Sequence, residues 1–473
     1  MGLQDVHVPP VAPERLEAVI GPERTAVYEG VAAAMKEFLA GRTVMNVNST
    51  AAGGGVAELL QTLLANVGGF GIDTRWVVIE ADADFFAITK RIHNHLYGTP
   101  GDGGPLGDGE HAHYEAILRP NAVELLGRLR PDDVVLLHDP QTAGMAPLLR
   151  QAGIAVVWRC HVGLDSQNEH SLRAWEFLRR YLDDVRAFVF SSEQFPPPWM
   201  DPGRVFVIPP SINPFSAKNE EIGAAEVLHT LAHVGLLDGG MQATPATFSR
   251  RDGSSGQVHR TADLADTGPP PPFDVPVVLQ ASRWDSLKDM PGVLTGFAEH
   301  LADMGEAHLV LAGPSVDSVA DDPEAAAVLA ECVTLWRSLP AATRGRIHLA
   351  CISIEDGDEA AAVVNALQRH AAVVAQKSLA EGFGLTVTEA MWKSRPVVGS
   401  AVGGIVSQII PGETGVLLPD PHDLTAFAAA VSGLLADPSE ADRQGRNGRR
   451  HASDHFLGDR HLHQWADVLT ALG

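Results

Sequence analysis

The chain has 473 residues, of which 45% are apolar, and this length predicts two domains rather than one core. A formal net charge of −24 excludes a general nucleic-acid binder, which needs a basic face, while leaving room for a local basic pocket that takes one nucleotide. Three cysteines (Cys160, Cys332, Cys351) with no CxxC spacing exclude a disulfide framework; the N-terminus lacks signal-peptide character and no apolar run is long enough to span a bilayer, which predicts a cytoplasmic protein without a membrane partner. Residues 13–40 carry a helical apolar stripe (Leu16, Val19, Ile20, Val27, Val31, Met35). A strand at 43–47, a loop ending in Gly53-Gly54-Gly55, a helix at 56–65 and a strand at 75–79 form a β-loop-α-β unit of mononucleotide type. Helix 84–96, with Phe85, Phe86, Ile88 and Ile92, leads into a Gly/Asp-rich loop at 99–109 and a helix at 112–129. Strand 133–137 ends in His138-Asp139 and strand 155–158 in Arg159-Cys160-His161; helix 172–182 and strands 187–190 and 205–208 follow, closing at Pro209-Pro210.

A helix is predicted at 221–237. Residues 239–272 then break all periodicity, with four consecutive prolines at 269–272, and predict a flexible, largely disordered or loosely packed insertion. Strands at 276–279, 308–312 and 347–349, with helices at 290–301 and 323–338, resume the alternation. An apolar strand at 371–375, a loop, a helix start and a second apolar run at 396–400 come next, before helices at 424–435 and 451–472. The fold class is therefore α/β: two Rossmann-like, doubly wound domains around a cleft. The first spans 1–212 and the second 213–454, with a last helix from about 455 packing back on the first.

Loops of a parallel α/β sheet gather at the carboxyl ends of its strands, where ligands bind. In Glu381-Gly382-Phe383-Gly384-Leu385-x-x-x-Glu389, two carboxylates flank a glycine turn that feeds a helix. Such a turn suits an anion, because free N–H groups and the positive dipole end face it. Glu389 would accept from a ribose diol and Glu381 would approach the sugar being transferred, although a glutamate at a helix start also favours the helix. Arg283 and Lys288 follow strand 276–279 and could clamp a diphosphate, offsetting the charge that builds on departure. Gly53-Gly54-Gly55 allows close approach of a ligand or is a tight turn; His161 and Asp139 stand at strand ends, where Asp139 binds a hydroxyl or caps its turn. HExxH, Gly-x-Ser-x-Gly and GxGxxG are all missing, which disfavours a zinc enzyme, a serine hydrolase and a dehydrogenase.

Ser282-Arg283-Trp284-Asp285-x-x-Lys288-Asp289, Glu381 to Met391 and Pro396-Val-Val-Gly-x-x-x-Gly403-Gly404 resemble the donor-site signature of glycosyltransferase family 4, whose members are retaining and have the GT-B fold. In the first half, Asn46-Val-Asn48-Ser-Thr-x-x-Gly53-Gly54-Gly55, Phe85-Phe86-x-x-Thr89-Lys90, His138-Asp139-Pro140-Gln141 and Trp158-Arg159-Cys160-His161 are similar to trehalose glycosyltransferring synthases, with retaining trehalose phosphorylase as a relative. Met45, where an aromatic is expected, the 99–109 loop and the 239–272 insertion depart from that pattern.

The resemblance implies reversible transfer of glucose from UDP- or ADP-glucose to glucose, giving α,α-trehalose. Phosphorolysis and a different acceptor are the alternatives, and a non-catalytic nucleotide-sugar sensor ranks last. Arg283, Lys288, Glu381 and His161 would be catalytic. Gly54, Gly55, Gly382, Phe383, Gly384, Leu385 and Glu389, with Arg283 and Lys288, would bind the donor, and Asn48, Glu80 and Asp139 the acceptor. Small-molecule substrates are expected, with a homodimer as the resembling group allows. No cofactor is expected to be required, and no site for magnesium is predicted.

Overall fold

The computed structural model describes residues 2–51, 55–183, 185–238, 246–265, 268–301, 305–316 and 323–473. They divide into two compact units: one of 1–211, 381–383 and 456–473, the other of 212–380 and 384–455. Among the described residues no helix is long and apolar enough to cross a membrane, and Cys160, Cys332 and Cys351 are buried free thiols.

The first unit is built on seven strands: β1 (Gln4–Asp5), β2 (Val44–Asn48), β3 (Thr74–Val78), β4 (Val134–His138), β5 (Ala155–Cys160), β6 (Ala187–Phe190) and β7 (Val205–Val207). Their order is β1-β3-β2-β4-β5-β6-β7, parallel except for β1. The strands are near-continuous apolar runs because helices cover both faces of the sheet. The order in which strands are added reverses between β2 and β4, the kind of switch point at which the loops on the carboxyl edge of such a sheet part to admit a ligand. The first helix, Glu14–Phe38, is broken at Gly21 (φ 78°, ψ 166°), where Pro22 also removes a donor. Its predicted stripe is only partly inward: Val27 is exposed, as are Phe86 and Leu172 on later helices. The last helix, Gly458–Ala471, packs on Glu14–Phe38 and Gly55–Gly69, and Arg24 grips Asp459 with two nitrogens at 2.7–3.0 Å.

The second unit adds β8 (Thr247–Ser249), β9 (Ser255–Gln257), β10 (Asp263–Leu264), β11 (Val277–Ala281), β12 (His308–Pro314), β13 (Ile347–Ile352), β14 (Val373–Gln376), β15 (Val397–Ser400) and β16 (Val416–Leu418). The main sheet runs β10-β13-β12-β11-β14-β15-β16, with β10 alone antiparallel and the reversal between β11 and β14. Helices Met290–His300, Gly357–His370, Leu385–Trp392 and Leu424–Ala436 flank it.

Residues 246–265, inside the stretch expected to be flexible, form the β8–β9 hairpin and the edge strand β10. The anchor is electrostatic. Arg250 and Arg251 pair with Asp356 and Asp358, each at 2.7 Å, and Glu359 accepts from the amides of His259 and Arg260, also at 2.7 Å. These carboxylates stand at the start of helix Gly357–His370, where the positive dipole end favours them. Strands of two or three residues carry too little periodicity to be read from sequence.

Candidate active site

In the first unit, the end of β4 and the end of β5 are joined by one carboxylate. Asp139 takes up a left-handed conformation (φ 61°), and its amide donates to the Arg159 carbonyl at 2.7 Å. That bend turns the Asp139 carboxylate onto His161: Oδ1 accepts the His161 amide at 2.8 Å, and the two oxygens lie 3.2 and 3.1 Å from the imidazole Nδ1. The other ring nitrogen, Nε2, accepts from Arg159 Nε at 2.7 Å. His138 stacks on His161 at 5.7 Å between centroids, and its Nε2 meets Asn46 Oδ1 at 3.0 Å across the sheet reversal.

The electrostatics follow from burial. Burial pushes Asp139 up, but the electrostatic pull of His161, and then the hydrogen bonds from its ring and amide, outweigh it and bring the carboxyl down to about 2. Burial first, then the Arg159 charge, pulls His161 below its ordinary value against the opposing pull of Asp139, so the imidazole is neutral. Burial brings Arg159 down to about 9, which leaves it a cation at neutral pH.

The predicted acceptor residues are more engaged than the sequence suggested. Asn48 is buried; its Oδ1 accepts the Trp76 indole N–H at 2.7 Å and its amide donates to the Thr50 carbonyl at 2.8 Å, so it braces its own loop. Glu80 is exposed, with Oε2 accepting the Gly2 amide at 2.5 Å. Gly54, like Gly53, lies outside the described residues, and Gly55 opens helix Gly55–Gly69. Gly382 belongs to this unit too. A Cβ there would overlap the His161 carbonyl oxygen and meet Tyr97 Oη at 3.0 Å, so only glycine lets the two backbones approach. Phe383 packs edge-on against Phe456 at 5.6 Å, and Glu381 is buried.

In the second unit, the loops that leave β11 and β14 are stitched together at the sheet reversal. Gln280, fully buried, accepts the Lys377 amide at 3.0 Å and donates to the Lys288 carbonyl at 2.7 Å. The Leu379 amide donates to the Leu287 carbonyl at 2.8 Å. This fixes the 282–289 loop beside residues 377–379. Arg283 extends outward, 55% exposed, with Nη2 2.9 Å from Asp285, while Lys288 ends a single turn of 3-10 helix. Sequence reading missed Lys377, whose ammonium is buried against Asp289 and the Pro421 carbonyl; its only signal was a charge directly after an apolar strand.

Gly384 (φ 83°) caps helix Leu385–Trp392, and Glu389, one turn in, is buried. Its Oε1 lies 3.3 Å from Lys218 Nζ. Lys393, in the next turn, donates to Asn219 Oδ1 at 2.9 Å and to the Glu389 carbonyl at 3.2 Å. Burial pushes the Lys393 ammonium down to about 7, against the pull of Glu389. A lysine depressed in the fold is protonated more readily in the unfolded chain, so stability should rise between pH 7 and about 10 as that proton is lost. Denaturant melts of the full chain and of Lys393→Met should show this rise flattened in the variant; equal slopes would contradict it. Among the described residues, no group of three or more His, Cys, Asp or Glu side chains is placed to hold a metal ion.

Two parallel sheets of this kind, with polar loops at each reversal, are the two halves of the GT-B fold. The alignment to a solved α,α-trehalose-phosphate synthase (UDP-forming) from Burkholderia xenovorans, in complex with glucose-6-phosphate, covers 91% of this chain and 99% of that one, with a TM-score of 0.65 at 15% identity. Residues 358–451 match the family described as glycosyl transferases group 1. The protein is a glycosyltransferase.

Residues 46–197 match the family described as trehalose synthase, N-terminal domain. The trehalose synthase of Pyrococcus horikoshii is 31% identical over 97% of this chain and 96% of its own length. That of Rubrobacter xylanophilus is 33% identical over 90% and 89%. The chain belongs to the trehalose synthase family.

Proposed function

We propose that this glycosyltransferase moves glucose from a nucleoside diphosphate-glucose, UDP- or ADP-glucose, to free glucose with retention, forming α,α-trehalose reversibly in the cytoplasm. The observation that carries this reading is the end-to-end similarity to trehalose synthases. In the step, the acceptor O1 bonds to C1 of the donor glucose as the bond from C1 to the diphosphate breaks. The acceptor's proton passes to the departing phosphate oxygen, so no protein nucleophile is needed.

Arg283 and Lys288 are the residues to which we assign the diphosphate. The exposed guanidinium can turn from Asp285 to a phosphate, where paired N–H bonds offset the charge of departure. The amides of Gly382, Phe383, Gly384 and Leu385 line the donor at the start of helix Leu385–Trp392, whose positive dipole end suits a diphosphate. Glu389, steadied by Lys218, takes the ribose hydroxyls, and Glu381 with His161 shapes the place of the transferred sugar. Gly54 and Gly55 are assigned to the donor. Glu80, Asp139 and Asn48 stand on the acceptor side, where Asp139 and Asn48 act by holding loop backbone. We assign no metal and no cofactor to the step; a homodimer belongs to the same reading and rests on the resemblance alone.

The test is a release assay. With UDP-glucose or ADP-glucose, nucleoside diphosphate should appear on addition of glucose and not on addition of inorganic phosphate. Release of glucose 1-phosphate from trehalose that depends on phosphate, without nucleotide turnover, would replace this reading with phosphorolysis.

A further inference from the structure

We propose that Arg159 is a positioning residue that locks His161 as the neutral imidazole protonated on Nδ1. An arginine Nε–H can only donate, and a carboxylate can only accept. With Arg159 Nε at 2.7 Å from Nε2 and the Asp139 oxygens at 3.1 and 3.2 Å from Nδ1, the ring's one proton has to sit on Nδ1 and its lone pair has to face Arg159. An aspartate–histidine pair alone leaves Nε2 open, makes the ring more basic and gives it a proton to exchange. Arg159 closes that option. His161 therefore neither gives nor takes a proton, and it serves through shape and through the main chain that Gly382 abuts.

Arg159 is itself held from behind. It is 1% exposed, its Nη2 donates to the Ile208 carbonyl at 3.1 Å, and its guanidinium lies 5.4 Å from the ring of Trp465 on the last helix. Arg460 of that helix donates to the carbonyls of Pro209 and Pro210 at 2.9 and 3.1 Å, and His461 meets Ser211 Oγ at 2.8 Å. The C-terminal helix and the exit of β7 thus hold the guanidinium that sets the tautomer. The titratable and charged groups around His161 are Asp139, Arg159, His138 and His461, with Glu381 one residue from Gly382. Burial of the ring works in the same direction as Arg159.

This inference rests on the reading of His161 as part of the sugar site, but its test does not need turnover. In the full chain labelled with 15N-histidine, and with the His161 resonances assigned by their loss in His161→Gln, Nε2 should show the shift of an unprotonated nitrogen, unchanged from pH 5.5 to 8.5. In Arg159→Met, His161 should titrate within that range, and the pH profile of kcat should gain an ionisation, falling about tenfold per pH unit on its acid side; Arg159→Lys, which restores a donor, should flatten it again. A proton on Nε2 in the native chain, or a native His161 that titrates near its ordinary value, overturns the proposal even if the variants fail to fold. A chain with the locked tautomer but no transfer activity would sink the functional reading and leave the lock standing.

Discussion

Arg283→Ala should lower kcat about 1,000-fold, roughly 4 kcal/mol of transition-state stabilisation, while the protein melts within a few degrees of the native chain. The guanidinium is more than half exposed and its one side-chain partner among the described residues is Asp285, a kind of ion pair worth about 1 kcal/mol or less. Asp285 stays satisfied in the variant because its Oδ1 accepts the Leu287 amide at 2.9 Å. The fold therefore has little to lose, and on the proposed assignment the reaction loses the group that meets charge as the diphosphate leaves. Arg283→Lys should recover only part of the rate, since an ammonium restores the charge without the paired N–H geometry. Steady-state kinetics beside a thermal melt decides it: near-native kcat in Arg283→Ala would remove the clamp from the account.

Gly382→Ala should cost about 100-fold in kcat/KM and lower stability by about 1–3 kcal/mol. The added carbon meets the His161 carbonyl, which is main chain and cannot swing aside, and Tyr97 Oη, the tip of a side chain. The 381–383 segment has to shift, carrying Glu381 with it. Gly412→Ala is the control. Gly412 has a positive φ of 74° but open space around it, so it should lose a similar amount of stability through backbone strain and keep its rate. Equal activities in the two variants would show that the Gly382 contact has no bearing on catalysis.

The sheets were readable because each core strand is an apolar run between helical stripes, the pattern that burial on both faces demands. What escaped notice shares a physical cause. Helix Pro438–His455 buries only Ala441, Gln444, Gly445, Gly448 and Ala452, and helix Gly357–His370 buries Ala360, Ala362 and Ala366 beside Val363 and Leu367, so neither stripe is built mainly of large apolar residues. Strands β8 to β10 are defined by pairing and by arginine–carboxylate bridges from distant positions, which no local window contains. Val27, Phe86 and Leu172 kept the period and still face outward, since a stripe broader than the contact surface leaves its flank exposed.

The candidate site could be proposed from its loops and not from its supports. Arg283, Lys288, Glu381 and Glu389 stand out as charges at strand and helix ends. Nothing in the order of residues says that Arg159 occupies the far nitrogen of His161, that Lys377 is buried against Asp289, or that Lys218 reaches Glu389. Those partners are set by which strands lie side by side. They also alter the assignments: Asn48 and Asp139, expected to touch an acceptor, spend their hydrogen bonds on Trp76, Thr50 and His161.

The most direct measurement follows the carbon that moves. UDP-glucose or ADP-glucose labelled with 13C at C1 of its glucose, mixed with unlabelled glucose and the full chain, should yield by NMR a non-reducing disaccharide whose labelled anomeric carbon keeps the α configuration. Label that stays in the nucleotide sugar, turns up only in free glucose, or arrives in a β linkage would contradict the account.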